Sequence, residues 1–236
     1  METIFITGAN RGLGKGFVEY SLKKGYKVFA GVRKPENFPK ELKENKNLKV
    51  VEIDVSNDES IRKAAQTVSE QTEHLDFLVN NAGVNKDSAT NNHKEEVCNL
   101  KSLDRQSLQK MFDVNSISPL LITKYFLKLL NSNPGFIINI SSCRASSHDE
   151  IPNSSANYGY RASKAALNMM VLSSILDLPK NVKTFTVHPG SVKTDMNPEG
   201  TDKPQDQAKA ILKITENWND DFNGKFLRYS GELYPL

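Results

Sequence analysis

Residues Thr3 to Gly14 constrain this chain more than any other stretch. An apolar run, Thr3-Ile4-Phe5-Ile6-Thr7, passes straight into Gly8-Ala9-Asn10-Arg11-Gly12-Leu13-Gly14, and a helical pattern follows. A glycine-rich turn between a first strand and a first helix lets the backbone approach a pyrophosphate. The phosphates then meet the outward amides and positive end of that helix. The spacing here is Gly-x-x-x-Gly-x-Gly, with Thr7 ahead of the first glycine. Glycines also serve plain turns, so it is the place of this turn, after a buried-looking first strand, that points to a dinucleotide.

Strand and helix patterns then alternate to the end of the chain, which predicts a doubly wound (Rossmann) parallel sheet of about seven strands with helices on both faces. The strands read as Ile4–Thr7, Lys27–Gly31, Lys49–Ile53, Phe77–Val79, Phe136–Ile140, Lys183–Val187 and Lys225–Leu227. Ser56-Asn57-Asp58-Glu59 reads as a capping box ahead of Ile61, Ala64, Ala65 and Val68, which share one helix face. One long helix is expected over Gln106–Leu130, another from about Asn157 to Leu176, and a last one from near Pro204. No repeat or linker divides residues 1–236, so a single domain is expected. The polar segment Asn85–Leu100 reads as a surface loop, and its His93, Glu95 and Glu96 lack metal-ligand spacing.

Composition excludes several classes. Thirty-one basic residues against 28 acidic ones leave a formal charge of only +3, which argues against a nucleic-acid or anionic-membrane surface. Two cysteines, Cys98 and Cys143, with no secretory leader ahead of the first strand, predict a reducing, cytoplasmic setting. No apolar run approaches the length of a membrane span.

The second strand ends Ala30-Gly31-Val32-Arg33-Lys34. Dinucleotide folds that select NAD place an acid there, about 20 residues past the glycine turn, to hold the ribose hydroxyls. Here the acid is missing and two bases are present. Arg33, with Arg11 from the glycine turn, could grip a 2′-phosphate, a task that suits a planar guanidinium; otherwise Arg33 and Lys34 are ordinary solvated charges. Farther on, Tyr160 and Lys164 stand four apart on one helix face. A nearby ammonium would lower the phenol pKa from about 10 and ready it for proton transfer. Asn139-Ile140-Ser141-Ser142 ends a strand at the carboxyl edge of the sheet, where doubly wound proteins bind ligands.

Taken together these residues resemble the short-chain dehydrogenase/reductase family over essentially the whole chain. The matching motifs, in order, are Thr7-Gly8-x-x-x-Gly12-x-Gly14, Asp54-Val55, Asn80-Asn81-Ala82-Gly83, Val114-Asn115, Ile140-Ser141-Ser142, Tyr160-x-x-x-Lys164 and His188-Pro189-Gly190-Ser191-Val192-x-Thr194. The finer texture, including Tyr160-Arg161-Ala162-Ser163-Lys164 and the tail Asn223-Gly224-Lys225-Phe226-Leu227, resembles its C-factor and sniffer carbonyl reductase branch. The resemblance implies catalytic roles for Asn115, Ser142, Tyr160 and Lys164: Tyr160 as general acid, Lys164 tuning it and binding the nicotinamide ribose, Ser142 polarising the carbonyl, and Asn115 holding a water. It implies NADP(H) rather than NAD(H), held by Gly8, Asn10, Arg11, Gly12, Leu13, Gly14, Arg33, Asp54, Val55, Asn81, Ala82 and Gly83. Pro189, Gly190, Val192 and Thr194 would complete that site with Asn115, Tyr160 and Lys164.

The expected partner is a small carbonyl or alcohol compound, and the resemblance also implies a homodimer or homotetramer. The segment from Asp195 to Lys203 is short, which predicts an open site. The loop after Ser142 is polar, with Arg144, His148, Asp149 and Glu150 on the rim. Two rivals are a non-catalytic dinucleotide-binding sensor of the C-factor type and a nucleotide-sugar epimerase. An intact Ser142, Tyr160 and Lys164 weighs against the first. The glycine spacing and the missing acid weigh against the second.

Overall fold

A computed structural model describes residues 1–85, 100–130, 134–148 and 157–236. Its strands are β1 (Thr3–Thr7), β2 (Lys27–Val32), β3 (Leu48–Glu52), β4 (Phe77–Asn80), β5 (Gly135–Ile140), β6 (Val182–His188) and β7 (Phe226–Arg228). They pair in parallel as one sheet in the order β3-β2-β1-β4-β5-β6-β7. The helices are α1 (Gly12–Lys23), α2 (Lys40–Lys43), α3 (Asp58–Ser69), α4 (Arg105–Phe112), α5 (Ser118–Phe126), α6 (Tyr158–Ser174) and α7 (Pro204–Glu216). The chain builds outward from β1 to β3, then returns to add β4 on the other side of β1. That reversal opens a crevice past the carboxyl ends of β1 and β4, where a ligand fits.

The period of two along β1 explains both covering layers. Ile4 and Ile6 face one way, against Phe17 and Val18 of α1 and Ala208 and Ile211 of α7. Phe5 faces the other way, against Ile61 and Val68 of α3 and Phe126 of α5. The Phe5 and Phe126 rings lie 4.4 Å apart, and both side chains are fully buried. Each such burial stabilises the fold by about 1.5–3 kcal/mol. On the first face Gly16 lets the helices touch, since a Cβ there would fall 2.5 Å from the Pro204 carbonyl oxygen.

Three expectations need correction. The long helix over Gln106–Leu130 is broken: α4 ends at Phe112, a π turn spans Asp113–Ile117, α5 follows, and a 3-10 turn at Leu127–Leu129 closes the segment. Pro119 has no N–H to give the Asn115 carbonyl, so the regular ladder fails there. Serines take up neighbouring carbonyls, Ser116 Oγ donating to Phe112 O at 2.7 Å and Ser118 Oγ to Asp113 O at 2.8 Å. The cap of α3 is Asn57, whose Oδ1 accepts from Ser60 N at 2.9 Å, while Ser56 bonds back to Asp54. The last strand sits one residue later than expected, at Phe226–Arg228. Most of the expected loop Asn85–Leu100, with Cys98, lies outside the described residues, as do Asp149 and Glu150. Among the described residues no helix is long and apolar enough to cross a membrane.

Candidate active site

The glycine turn has its shape because only glycine permits it. Gly8 and Gly12 have φ of +65° and +52°. At Gly14 a Cβ would fall 2.2 Å from Gly8 O, so the start of α1 lies flat against the turn. Arg11 gives α1 no side-chain cap, which leaves the first-turn amides open to a ligand. The end of β4 braces the turn: Asn81 Nδ2 donates to Thr7 O at 2.8 Å and Gly8 O at 3.2 Å. Thr7 Oγ1 returns the tie by accepting from Asn81 N and Ala82 N, both at 3.0 Å. Asn81 thus holds the turn as well as lining the groove beside it.

The charged residues expected around a 2′-phosphate are spread differently. Arg33, just past β2, is exposed. Arg11 is also exposed, but its Nη1 pairs with Asp195 Oδ2 at 2.7 Å. The guanidinium thus reaches across to the opposite segment. Asp54 already accepts from Ser56 N and Oγ at 3.0 and 2.7 Å, and Val55 behind it is buried. Across from Gly12 stands Thr194, whose Cγ2 would lie 3.0 Å from a Cβ on that glycine.

At the other end of the cleft a buried polar ladder ties three strand ends together. Asn80 Nδ2 donates to Asn139 Oδ1 at 2.8 Å, and Asn139 Nδ2 to Thr184 Oγ1 at 3.1 Å. The two serines that follow β5 then separate. Ser141 Oγ turns to Asn168 Oδ1 of α6 at 2.7 Å, whereas Ser142 Oγ accepts from Arg144 N at 3.2 Å and meets the Tyr160 phenol. Asn157, in the left-handed region at φ +45°, starts α6 and delivers Tyr160 and Lys164 to this point. Lys164 is buried, and its Nζ donates to Ile140 O at 2.7 Å. A Cβ at Gly83 would fall 3.3 Å from Asn115 Oδ1 and 3.7 Å from Lys164 Nζ, so bare backbone faces the ammonium.

Asn115 sits inside the π turn, fully buried. Its Nδ2 donates to Val84 O at 2.8 Å and Ser163 Oγ at 3.0 Å, and its Oδ1 accepts from Val84 N at 2.8 Å. Such bulges recur where a helix must aim one side chain at a site.

Electrostatics at this end depart from the expected tuning. Burial pushes the Tyr160 phenol above its usual pKa, while the Ser142 hydroxyl and the Arg144 charge pull it back. The expected lowering by Lys164 is absent. That ammonium is committed to Ile140 O, and burial drops its own pKa to about 8. Burial thus outweighs the groups that would depress the phenol.

The nicotinamide-loop residues are pinned from below. Gly190 has φ +85° and leaves no room for a Cβ beside Asp202, whose Oδ2 accepts from Ser191 N at 2.7 Å. Pro189 precedes that turn. Val192 bridges to Asp202 and Thr194 to Asn197, which folds the short segment onto itself. His148 is exposed on the rim. Sequence reasoning missed the Asn80–Asn139–Thr184 ladder and the Thr7 hub, and it left the apolar end Leu233-Tyr234-Pro235-Leu236 either to cross an interface or to cover its own sheet edge; the tail does the second, bridging Leu233 to Leu227. Tyr234 packs on Phe226 and stacks under Arg228, whose guanidinium lies 4.3 Å from its ring centre, and Leu236 O accepts from Ser147 Oγ at 3.3 Å. Polar residues inside apolar strands were the available signal for the ladder.

Known proteins share this arrangement. The family model for short chain dehydrogenase matches residues 2–205. An uncharacterized oxidoreductase of Schizosaccharomyces pombe is 30% identical over all of this chain and 98% of its own length. The NADPH-bound carbonyl reductase from chicken fatty liver superposes with a TM-score of 0.86 at 28% identity, covering 100% of this chain and 99% of that one. Carbonyl reductase Sniffer of D. melanogaster gives 0.86 at 27% identity over the whole of both chains. With a matching model over most of the chain and a full-length relative, the protein belongs to the short-chain dehydrogenase/reductase family of oxidoreductases.

Proposed function

We propose that the chain is an NADPH-dependent reductase of aldehydes or ketones, with alcohol oxidation as the reverse. The observation that carries this reading is the meeting of Ser142, Tyr160 and Lys164 at the carboxyl edge of β5, beside a glycine turn that fits a dinucleotide. The turn at Gly14 would be filled by a single Cβ, and the open amides of α1 suit a pyrophosphate. Gly8, Asn10, Leu13, Asp54, Val55, Ala82 and Thr194 would complete the cofactor's groove. Val32 where an acid would stand, with Arg33 exposed beside it, favours a 2′-phosphate, and the NADPH in the similar chicken enzyme supports that choice.

The bound nicotinamide would supply a hydride. The chain's own residues would then manage the oxygen on which charge develops. Ser142 Oγ and Tyr160 Oη are two donors on one side of that oxygen, and Tyr160 releases its proton to it. A phenol held above its ordinary pKa is protonated at neutral pH, so the group stands ready as the acid form. Lys164 keeps a positive charge one helical turn away, and Asn115, locked by Val84 and Ser163, shapes the path behind it.

A homo-oligomer belongs to the same reading. Ile117 and Leu120 near the start of α5 and Met169 on α6 are exposed apolar side chains of the kind a second copy would cover; light scattering at two concentrations tests this.

The main experiment is a carbonyl panel followed by NADPH consumption, beside calorimetric titrations of NADPH and NADH. Turnover of aldehydes or ketones with tighter NADPH binding is expected. Arg33→Ala should weaken NADPH about tenfold or more and leave NADH nearly unchanged. Tighter NADH binding would remove the cofactor assignment. Firm NADPH binding with no reduction of any carbonyl would move the sensor reading ahead.

A further inference from the structure

Arg144 is a charged side chain beside the reaction end that the reading above leaves without a task. It sits in the 3-10 turn Cys143–Ala145 that follows Ser142. The turn is firmly built: Arg144 N donates to Ser142 Oγ, Ala145 N to Ser142 O at 2.9 Å, and Ser146 N to Cys143 O at 3.0 Å. Beyond it Ser147 meets the chain's last residue. The Arg144 side chain is partly buried, and among the described residues its Nη1, shut away from solvent, has no hydrogen-bond partner. Among the described residues no carboxylate pairs with it. A buried guanidinium N–H left unmade is costly. The side chain as a whole is only partly buried, and its planar fork of donors matches a carboxylate.

Position decides whose carboxylate it takes. The cofactor's phosphates belong at the far end, with Gly8–Gly14 and Arg33 past β1 and β2. Arg144 follows β5, beside Ser142. Resting on the carbonyl-reductase reading, we propose that Arg144 is a substrate-binding residue that selects carbonyl compounds carrying a carboxylate, gripping the acid while Ser142 and Tyr160 hold the reacting oxygen. The influence of its charge on the phenol independently places the guanidinium near Tyr160.

The test compares ortho-, meta- and para-carboxybenzaldehyde with their methyl esters, in the unmutated protein and in Arg144→Gln and Arg144→Lys. The quantity read is the acid-to-ester ratio of kcat/KM, because any effect of the lost charge on Tyr160 falls on both substrates alike. The unmutated protein should favour at least one acid by about tenfold to a hundredfold, mainly through KM. Arg144→Gln should bring that ratio near one, and Arg144→Lys should retain part of it. Thermal melts establish that both variants fold. Equal rates on acid and ester, or a ratio that survives Arg144→Gln, would overturn the inference and leave the reductase standing. If neither aldehyde nor ester is reduced, the wider carbonyl panel decides the reductase reading. Titration of the carboxybenzyl alcohols into NADPH-saturated protein then decides alone: binding that disappears in Arg144→Gln supports the anion site, and no binding removes it.

Discussion

The two ends of the cleft are held by opposite physics. At the glycine turn the charged groups are in water: Arg11 and Asp195 pair with side chains 68% and 72% exposed, and the shape comes from backbone and from Asn81. At the reaction end the polar groups are buried: Lys164 is 4% exposed, Ser142 8% and Asn115 0%. Exposed pairs are screened and contribute little, whereas buried groups have their protonation set by desolvation. The difference assigns binding to geometry at one end and chemistry to environment at the other.

The sharpest way to break that division is Tyr160→Phe. It keeps the ring and its packing and deletes the proposed acid. Turnover of any accepted carbonyl should fall by about 10²–10⁴-fold, with NADPH affinity by fluorescence titration held within a few-fold. Near-normal turnover would show that the proton comes from elsewhere. A large loss of affinity would show that the two ends are not separate.

Lys164 tests desolvation directly. Its pKa in the folded protein is about 8 against the usual 10.5. Between those values the unfolded chain binds the extra proton, so stability must rise with pH. Below about 8 the full penalty of burying the charge is present. Relative to Lys164→Met, the unliganded protein should therefore gain up to about 3 kcal/mol from pH 8 to pH 10.5. Comparing the two melts cancels every other titrating group. A flat difference across that window would mean the ammonium is better solvated than its burial implies.

How much of this could be read beforehand differs between the same two ends. The glycine turn was legible because its constraint is local, a φ that glycine adopts at least cost and a backbone contact that tolerates no Cβ. The helix spacing of Tyr160 and Lys164 was legible for a similar reason. The direction of their pKa shifts was not, because both shifts come first from burial, which is set by elements distant in sequence. The π turn around Asn115 hid for a different reason. Over five residues a widened turn looks like ordinary helix, and Pro119 alone marked the break. Ser56 and Asn57 are adjacent good caps, so pattern could not choose between them. The Arg11–Asp195 pair joins residues 184 apart and leaves no trace in any window of sequence.

Gly14→Ala asks whether the binding end is as rigid as its geometry implies. The added Cβ would lie 2.2 Å from Gly8 O and 2.6 Å from Asn81 Nδ2. Neither backbone nor a doubly bonded amide yields easily, so the turn must shift. Denaturant unfolding should show a loss of about 1–3 kcal/mol, together with loss of measurable NADPH binding. Unchanged affinity would mean the turn can relax without disturbing the pyrophosphate site.

Asp195→Asn carries the smallest expected effect and separates two uses of Arg11. An exposed ion pair contributes about 0–1 kcal/mol, so stability should hardly move. If Arg11 serves the 2′-phosphate, Asp195 competes for it. Removing the carboxylate's charge should then tighten NADPH by about two- to fivefold at low salt, the equivalent of that same small energy. NADH, with no 2′-phosphate, should bind as before. The gain should vanish near 1 M salt, where the screening length falls to about 3 Å. An equal gain for NADH would place the effect in the glycine turn as a whole. Weaker NADPH binding would mean that Asp195 holds the cleft in register and that Arg11 has no part in the phosphate.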